Sequence, residues 1–296
     1  MKLVIGLPWY SGPDENTFPL YFDQMMYYGA LRERSIWRDV LGKATFKEAL
    51  PKLPPLNEMS DDSRGDPTEA DWDRLGRLEI AVCNYSRTSL VGLARELVVD
   101  AALEWGGDYL FWWDADMRFD HSAMLELWRR DKPAVGGLAF TARDPVHPVI
   151  FTMVKSWDKS SRMEKVEGSS IIFDYPKDSL IGNKEVGGEL AFGAGVVLYN
   201  LNVFREIPKP WFASTGCGED FFFCHRCSEF GVPRFVDTAV KTQHKAHAPT
   251  WIDEDSYWAS REGSRDSYVG QFGESVNKIK NGKVVLTNLT GEQVPV

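Results

Sequence analysis

The apolar positions of this chain gather into short, nearly unbroken runs, and between the runs they recur at helical spacing. Lys2–Leu7 is one such run and stops at Pro8; Leu78–Cys83, Asp108–Trp113 and Ala134–Phe140 are others. Runs of this length suit strands buried on both faces, as in a parallel sheet. Phe18–Val40 carries Phe22, Met25, Met26, Leu31, Ile36 and Val40 at spacings that predict a mainly helical segment. Arg87–Trp105 holds the strongest helical stripe (Leu90, Ala94, Leu97, Val98, Ala101, Trp105), and Gly106-Gly107 ends it. His121–Arg130 predicts a short helix with Leu125 and Trp128 inward. This alternation of strands and helices predicts an α/β fold with a mainly parallel sheet flanked by helices. Pro51–Asp73, with four Pro and many Asp, predicts a long loop, a candidate lid.

The texture changes near residue 145. Pro148–Val154 and Ser169–Tyr175 predict a hairpin or a smaller mixed or antiparallel sheet, and Leu190–Tyr199 a strand interrupted by Gly193 and Gly195. Leu201–Glu206 predicts a short helix. Gly218-Glu219-Asp220 opens another that runs to about Phe230; Val232–Val236 predicts a strand and Thr242–His247 a loop. Lys278–Val294 reads as a hairpin around Asn281-Gly282. No boundary splits the chain sharply. The expectation is one catalytic domain over residues 1–250, with halves 1–140 and 141–250, followed by an extension over 251–296.

Composition narrows the classes. The 296 residues can bury a sizeable core, and 43% hydrophobic with 26% charged residues is ordinary for a globular protein. A net charge of −9 disfavours a protein that grips a nucleic-acid backbone. No apolar run is long enough to span a membrane, and the N-terminus reads as a first strand rather than a secretory signal, so the expected location is cytoplasmic. Cys224 and Cys227 form a CxxC pair with Cys217 nearby; a zinc site and plain reduced thiols are both readings of these residues.

The chemistry concentrates in Tyr109–Met117, YLFWWDADM. A buried strand that ends in Asp114 and Asp116 calls for something positive. Ligands of open α/β sheets bind beyond the carboxyl ends of the strands. With a side-chain period of two, the carboxylates on either side of Ala115 are expected to point the same way and to form half of a hard-cation site. An acidic turn that merely ends the strand is the plainer alternative.

Read in order, the strand LVIGLP, the helix LARELVVDAAL, YLFWWDADM, the strand FGAGVVLYNLNVF, the segment GEDFFFCHR and the late His of KTQHK resemble the nucleotide-sugar-dependent glycosyltransferases of the GT-A fold. The likeness is to small phage and bacterial members related to the large family-two group. The resemblance implies transfer of a sugar from a nucleoside diphosphate donor to an acceptor hydroxyl, with inversion, and a Mn2+ or Mg2+ cofactor. It implies metal ligands at Asp114, Asp116 and His244, with His247 as the substitute for His244. It makes Asp220 the catalytic base, seconded by Glu219. Pro8, Trp9, Tyr10, Arg95 and the Asp114-Ala115-Asp116 stretch would meet the donor, and Gly193 and Gly195 the acceptor. The acceptor could be a glycan, a protein or a modified base.

Each role has a plainer counterpart. Asp220 and Glu219 could simply cap a helix. His244 could be a surface His beside Lys241 and Lys245. Arg95 could be a solvated Arg paired with Glu96 or Asp100, and the glycines could serve backbone packing. Glu96 stands where the family often has Asn. Two rival functions remain: a nucleotidyltransferase or sugar-phosphate enzyme, for which GLPWYSGP lacks the usual Gly-rich phosphate loop, and a non-catalytic GT-A-like binding module.

Overall fold

The computed structural model describes residues 1–8, 18–49, 66–84, 90–142, 145–158, 163–213, 218–245, 251–259, 276–280 and 283–287. Trp9, Tyr10, Cys217, His247 and Asn281-Gly282 lie outside them, as does most of Pro51–Asp73.

The apolar runs become β1 (Lys2–Leu7), β2 (Glu79–Asn84), β3 (Tyr109–Trp113) and β5 (Ala134–Leu138). β1 pairs in parallel with β2 on one side and β3 on the other. β10 (Val196–Asn200) lies antiparallel between β3 and β5, and β11 (Arg234–Lys245) runs parallel to β5. The main sheet thus reads β2-β1-β3-β10-β5-β11-β12, with β12 (Trp251–Ile252) at its edge, and only β10 reversed among the central strands. β4 (Met117–Phe119) and β8 (Leu180–Gly182) also pair with β11. The chain leaves β1 toward β2 on one side and returns to β3 on the other. The crevice at the carboxyl ends of β1 and β3 is therefore the switch point at which α/β sheets bind ligands. This is an α/β architecture with a mainly parallel sheet flanked by helices.

Helices cover both faces. α1 (Phe18–Leu41), α2 (Lys43–Ala49), α3 (Glu69–Leu75) and α5 (Ala123–Arg129) pack one side through Tyr27, Tyr28, Leu31, Phe46, Trp72, Leu75, Leu125 and Trp128. α4 (Val91–Glu104), α6 (Asn202–Glu206) and α7 (Glu219–Glu229) pack the other through Val98, Val99, Ala102, Phe204 and Phe223. β3 serves both, Leu110 and Trp112 facing the α4 side and Phe111 and Trp113 the α1 side. A second sheet, ordered β14-β13-β7-β6-β9, adds β6 (Ile150–Asp158), β7 (Met163–Asp174), β9 (Glu189–Phe192), β13 (Val276–Lys280) and β14 (Lys283–Thr287). All its pairings are antiparallel except β13 with β7.

Four expectations are corrected here. The inward face of α1 is not the predicted stripe: Gln24, Tyr27, Tyr28, Leu31 and Ser35 are buried, while Phe22, Met26 and Val40 are exposed. The two tyrosines carry the larger burial, and a scale that ranks Tyr low misses that face. The Asp-rich segment before β2 ends in the helix α3, built on a capping box between Thr68 and Asp71. Leu190–Tyr199 is two strands in two sheets, β9 against β6 and β10 against β3, joined by Gly193-Ala194-Gly195. Thr242–Lys245 continue β11 rather than forming a loop, because β4 and β12 supply ladder partners.

Asp71 also receives Arg129 at 2.7 Å and 3.1 Å. Burial opposes its charge, yet the hydrogen bonds from Arg129 and Thr68 hold its pKa below the ordinary value. A depressed carboxylate contributes stability above its unfolded pKa and loses it as pH falls through the folded one. In urea unfolding, the stability gap between wild type and Asp71→Asn should therefore be steady near neutrality. It should shrink below about pH 4.

Candidate functional site

The end of β3 turns sharply. Asp114 N–H donates to Gly195 O at 2.9 Å, and Met117 N–H donates back to Asp114 O at 3.1 Å. This tight turn breaks the two-residue alternation expected for Asp114 and Asp116, so the two acids take different partners. Both oxygens of Asp114 accept from Arg95 Nη2, at 2.9 and 3.1 Å. Asp116 Oδ2 lies 3.2 Å from His244 Nε2. Ala115 packs toward the α1 side.

His244 reaches Asp116 because β4, starting just after Asp116, pairs with β11 in a register that sets Met117 opposite His244. The other ring nitrogen, Nδ1, is 2.6 Å from Phe140 O. A carbonyl oxygen only accepts, so Nδ1 carries a proton, and Nε2 faces the carboxylate. Burial favours the neutral ring, but the Asp116 hydrogen bond and charge raise the His244 pKa above its ordinary value. Reciprocally, burial opposes ionisation of Asp116 and His244 more than offsets it, holding Asp116 low.

Arg95 is the hub on the α4 side. It is 2% exposed, so the solvated-Arg alternative is ruled out. Its guanidinium donates to Asp114, to Glu219 Oε1 at 3.3 Å and to Ala194 O at 3.4 Å, and it lies over the Trp112 ring, 5.2 Å from the centroid. Room for that ring comes from Gly6, where an added Cβ would fall 2.7 Å from Trp112 Cε3. Burial works against the guanidinium charge, but Asp114, Asp220 and Glu219 together hold Arg95 firmly protonated. Asp114 pays for its setting: burial, with Asp116 and Asp220 nearby, pushes its pKa up to about 6 despite Arg95.

Glu219 and Asp220 form the first turn of α7, entered through Gly218 at φ 91, where the helix dipole favours a carboxylate. Asp220 Oδ2 accepts from the Ala194 N–H at 3.2 Å. The backbone of one residue, Ala194, therefore links Arg95 through its carbonyl and Asp220 through its N–H. A Cβ at Gly193 would fall 2.9 Å from Val149 Cγ1 and 3.6 Å from Asp220 Oδ2, and one at Gly195 would fall 3.1 Å from Met117 Cγ. These glycines let the sheet-to-sheet crossover lie close to the two acid-bearing turns.

Asp114, Glu219 and Asp220 are thus gathered around Arg95, and Asp116 is paired with His244. Pro8 sits at the end of β1, the strand next to β3. Cys224 and Cys227 are buried, and burial pushes their thiols up to about 11 and about 12. Among the described residues no three His, Cys, Asp or Glu side chains cluster tightly enough to hold a metal by themselves. A cavity of about 600 Å³ lies between α1, β4 and β11, and its described lining includes none of the five residues Asp114, Asp116, Glu219, Asp220 and His244. The orienting groups, Phe140 O and the Ala194 peptide, went unseen in the sequence because backbone atoms leave no residue signature.

No protein-family model matches the chain, and no curated protein matches it significantly by sequence. Several solved structures share a general likeness. A197 from STIV is 14% identical, with a TM-score of 0.44 over 86% of this chain and 92% of that one. A Bacillus anthracis protein described as a glucose-1-phosphate thymidylyltransferase, in complex with a sucrose, is 14% identical, with a TM-score of 0.29 over 68% and 70%. A CMP:2-keto-3-deoxy-manno-octonic acid synthetase complexed with CTP is 12% identical, with a TM-score of 0.35 over 90% and 98%. Among the described residues, no helix is long and apolar enough to cross a membrane.

Proposed function

We propose that this chain transfers a sugar, with inversion, from a nucleoside diphosphate donor to an acceptor hydroxyl, using Mn2+ or Mg2+. One observation carries the reading: at the carboxyl edge of β3, a carboxylate–imidazole pair and an Arg-anchored group of three acids flank a single turn.

The donor set fits a divalent ion. Asp116 offers an oxygen, and His244, with Nδ1 held by Phe140 O, turns Nε2 toward it. A backbone carbonyl on the far ring nitrogen is the support that metal-binding imidazoles usually have. Two protein ligands leave the remaining positions to diphosphate oxygens and water, the usual arrangement for a small hard cation. Held by Asp116 and His244, the ion would neutralise the diphosphate leaving group. Asp114, committed to Arg95, borders the ribose side of the donor beyond β1. Asp220 takes the proton of the acceptor hydroxyl as that oxygen attacks the anomeric carbon. The Ala194 N–H holds Oδ2 in place for this. Glu219 balances the other edge of Arg95.

The test is product analysis with a panel of nucleoside diphosphate sugars and Mn2+. Release of nucleoside diphosphate, with the sugar on an acceptor or on water in inverted configuration, is the expected result. Release of pyrophosphate or nucleoside monophosphate would favour nucleotidyl chemistry instead.

A further inference from the structure

α4 holds the chain segment that leads into the acids of α7 at several points. Asp100 pairs with Lys209 Nζ at 2.5 Å at the start of that segment. Arg95 pairs with Glu219 at its end. Between them, one oxygen of Glu96, Oε1, accepts from two consecutive backbone N–H groups, those of Trp211 and Phe212, the latter at 2.6 Å. The Glu96 side chain is only 13% exposed, so these amides have little water to turn to if the carboxylate is lost.

What Glu96 holds in place bears directly on α7. Phe212 is 3% exposed, and its ring lies 4.8 Å from Phe223 and 6.0 Å from Trp112. Phe223 sits three residues after Asp220 and so occupies the same side of the helix. Trp112 lies beneath the Arg95 guanidinium. Phe212 is therefore wedged between the support of Arg95 and the helical turn that carries Asp220.

We propose that Glu96 is a positioning residue: by holding the Trp211 and Phe212 amides it sets Phe212 against α7 and fixes where the Asp220 carboxylate stands. The inference rests on the reading of Asp220 as the base. Glu96 touches neither donor nor acceptor in this account. It acts through two amides and one aromatic ring. Its place directly after Arg95 lets adjacent residues of one helix hold the end and the middle of the same segment.

The experiment compares Glu96→Ala with Glu96→Gln. Gln keeps an oxygen that can accept both amides; Ala does not. Two readouts are taken on the full chain: hydrogen exchange of the peptide 209–213 without ligand, and release of nucleoside diphosphate from the donor that wild type turns over fastest. For Glu96→Ala, exchange should rise and kcat should fall by about 10- to 100-fold, with KM little changed, as misplacement of a reacting group by an ångström would produce. Glu96→Gln should stay near wild type in both. Wild-type exchange in Glu96→Ala, or faster exchange with kcat intact, would overturn the proposal. If wild type itself turns over no donor, the glycosyl-transfer reading fails and the catalytic half of this inference with it. The exchange contrast between the two variants then reads the tether alone.

Discussion

Asp220→Asn should lower turnover by about 10²- to 10⁴-fold while leaving nucleoside diphosphate binding almost unchanged. Asn is isosteric, and its side-chain oxygen can still accept the Ala194 N–H that now reaches Asp220 Oδ2. The N-cap of α7 is Gly218, not Asp220, so the helix start should survive. What it lacks is a carboxylate able to take the acceptor proton. The informative comparison is between kcat and the nucleoside diphosphate Kd measured on the same preparation. A variant that lost donor binding or unfolded early, rather than losing turnover, would show that Asp220 only supports the helix.

The second large effect is expected at Arg95. Its guanidinium is buried and serves Asp114, Glu219 and the Ala194 carbonyl together. Arg95→Met keeps much of the side chain's length and its contact with Trp112 but strands the acids without their counter-charge. Removing one partner from a buried ionic network costs about 3–5 kcal/mol. Urea unfolding at neutral pH should register a loss of that order. Arg95→Lys should recover only part of it, because an ammonium restores the charge without the planar fork that reaches several partners at once. Stability near wild type in Arg95→Met would mean that the acids are solvated and that the hub is not a hub.

β1, β3 and β5 were legible in the sequence because central strands buried on both faces demand unbroken apolar runs, and those runs place them within a residue or two. β2 was placed as closely, yet it is the edge strand and half-exposed rather than buried on both faces. The helix α4 was legible too, but its inward face was only half read: Ala94 and Val98 are buried as expected, whereas Leu90 and Ala101 are exposed and Arg95, Val99 and Ala102 lie inward instead. The face of α1 was not, because Tyr27 and Tyr28 bury their rings while Phe22 and Met26 remain exposed. Nor did hydrophobicity disclose that β9 and β10 belong to different sheets. That depends on long-range pairing with β6 and β3, and Gly193 and Gly195 marked only that something came close.

For the site, the acid-rich turn after β3 stood out as chemistry without a structural excuse. The partner of each acid did not. The alternation of an extended strand pointed Asp114 and Asp116 the same way, whereas the turn from Asp114 to Met117 sends one to Arg95 and the other to His244. Arg95 drew notice as a charge on an apolar stripe. Its burial could be known only once Trp112, Glu219 and the Ala194 peptide had come together around it.

The central claim is that the Asp116–His244 pair holds a divalent ion against a nucleoside diphosphate. The most direct measurement is the thermal shift produced by UDP, GDP, CDP and ADP with and without Mn2+, on wild type and on Asp116→Ala. A ligand that binds only the folded protein raises the midpoint by mass action. The account predicts that at least one of these nucleotides stabilises wild type far more with Mn2+ than without, and that Asp116→Ala loses the Mn2+-dependent part. A Mn2+-dependent shift that persists unchanged in Asp116→Ala would contradict it.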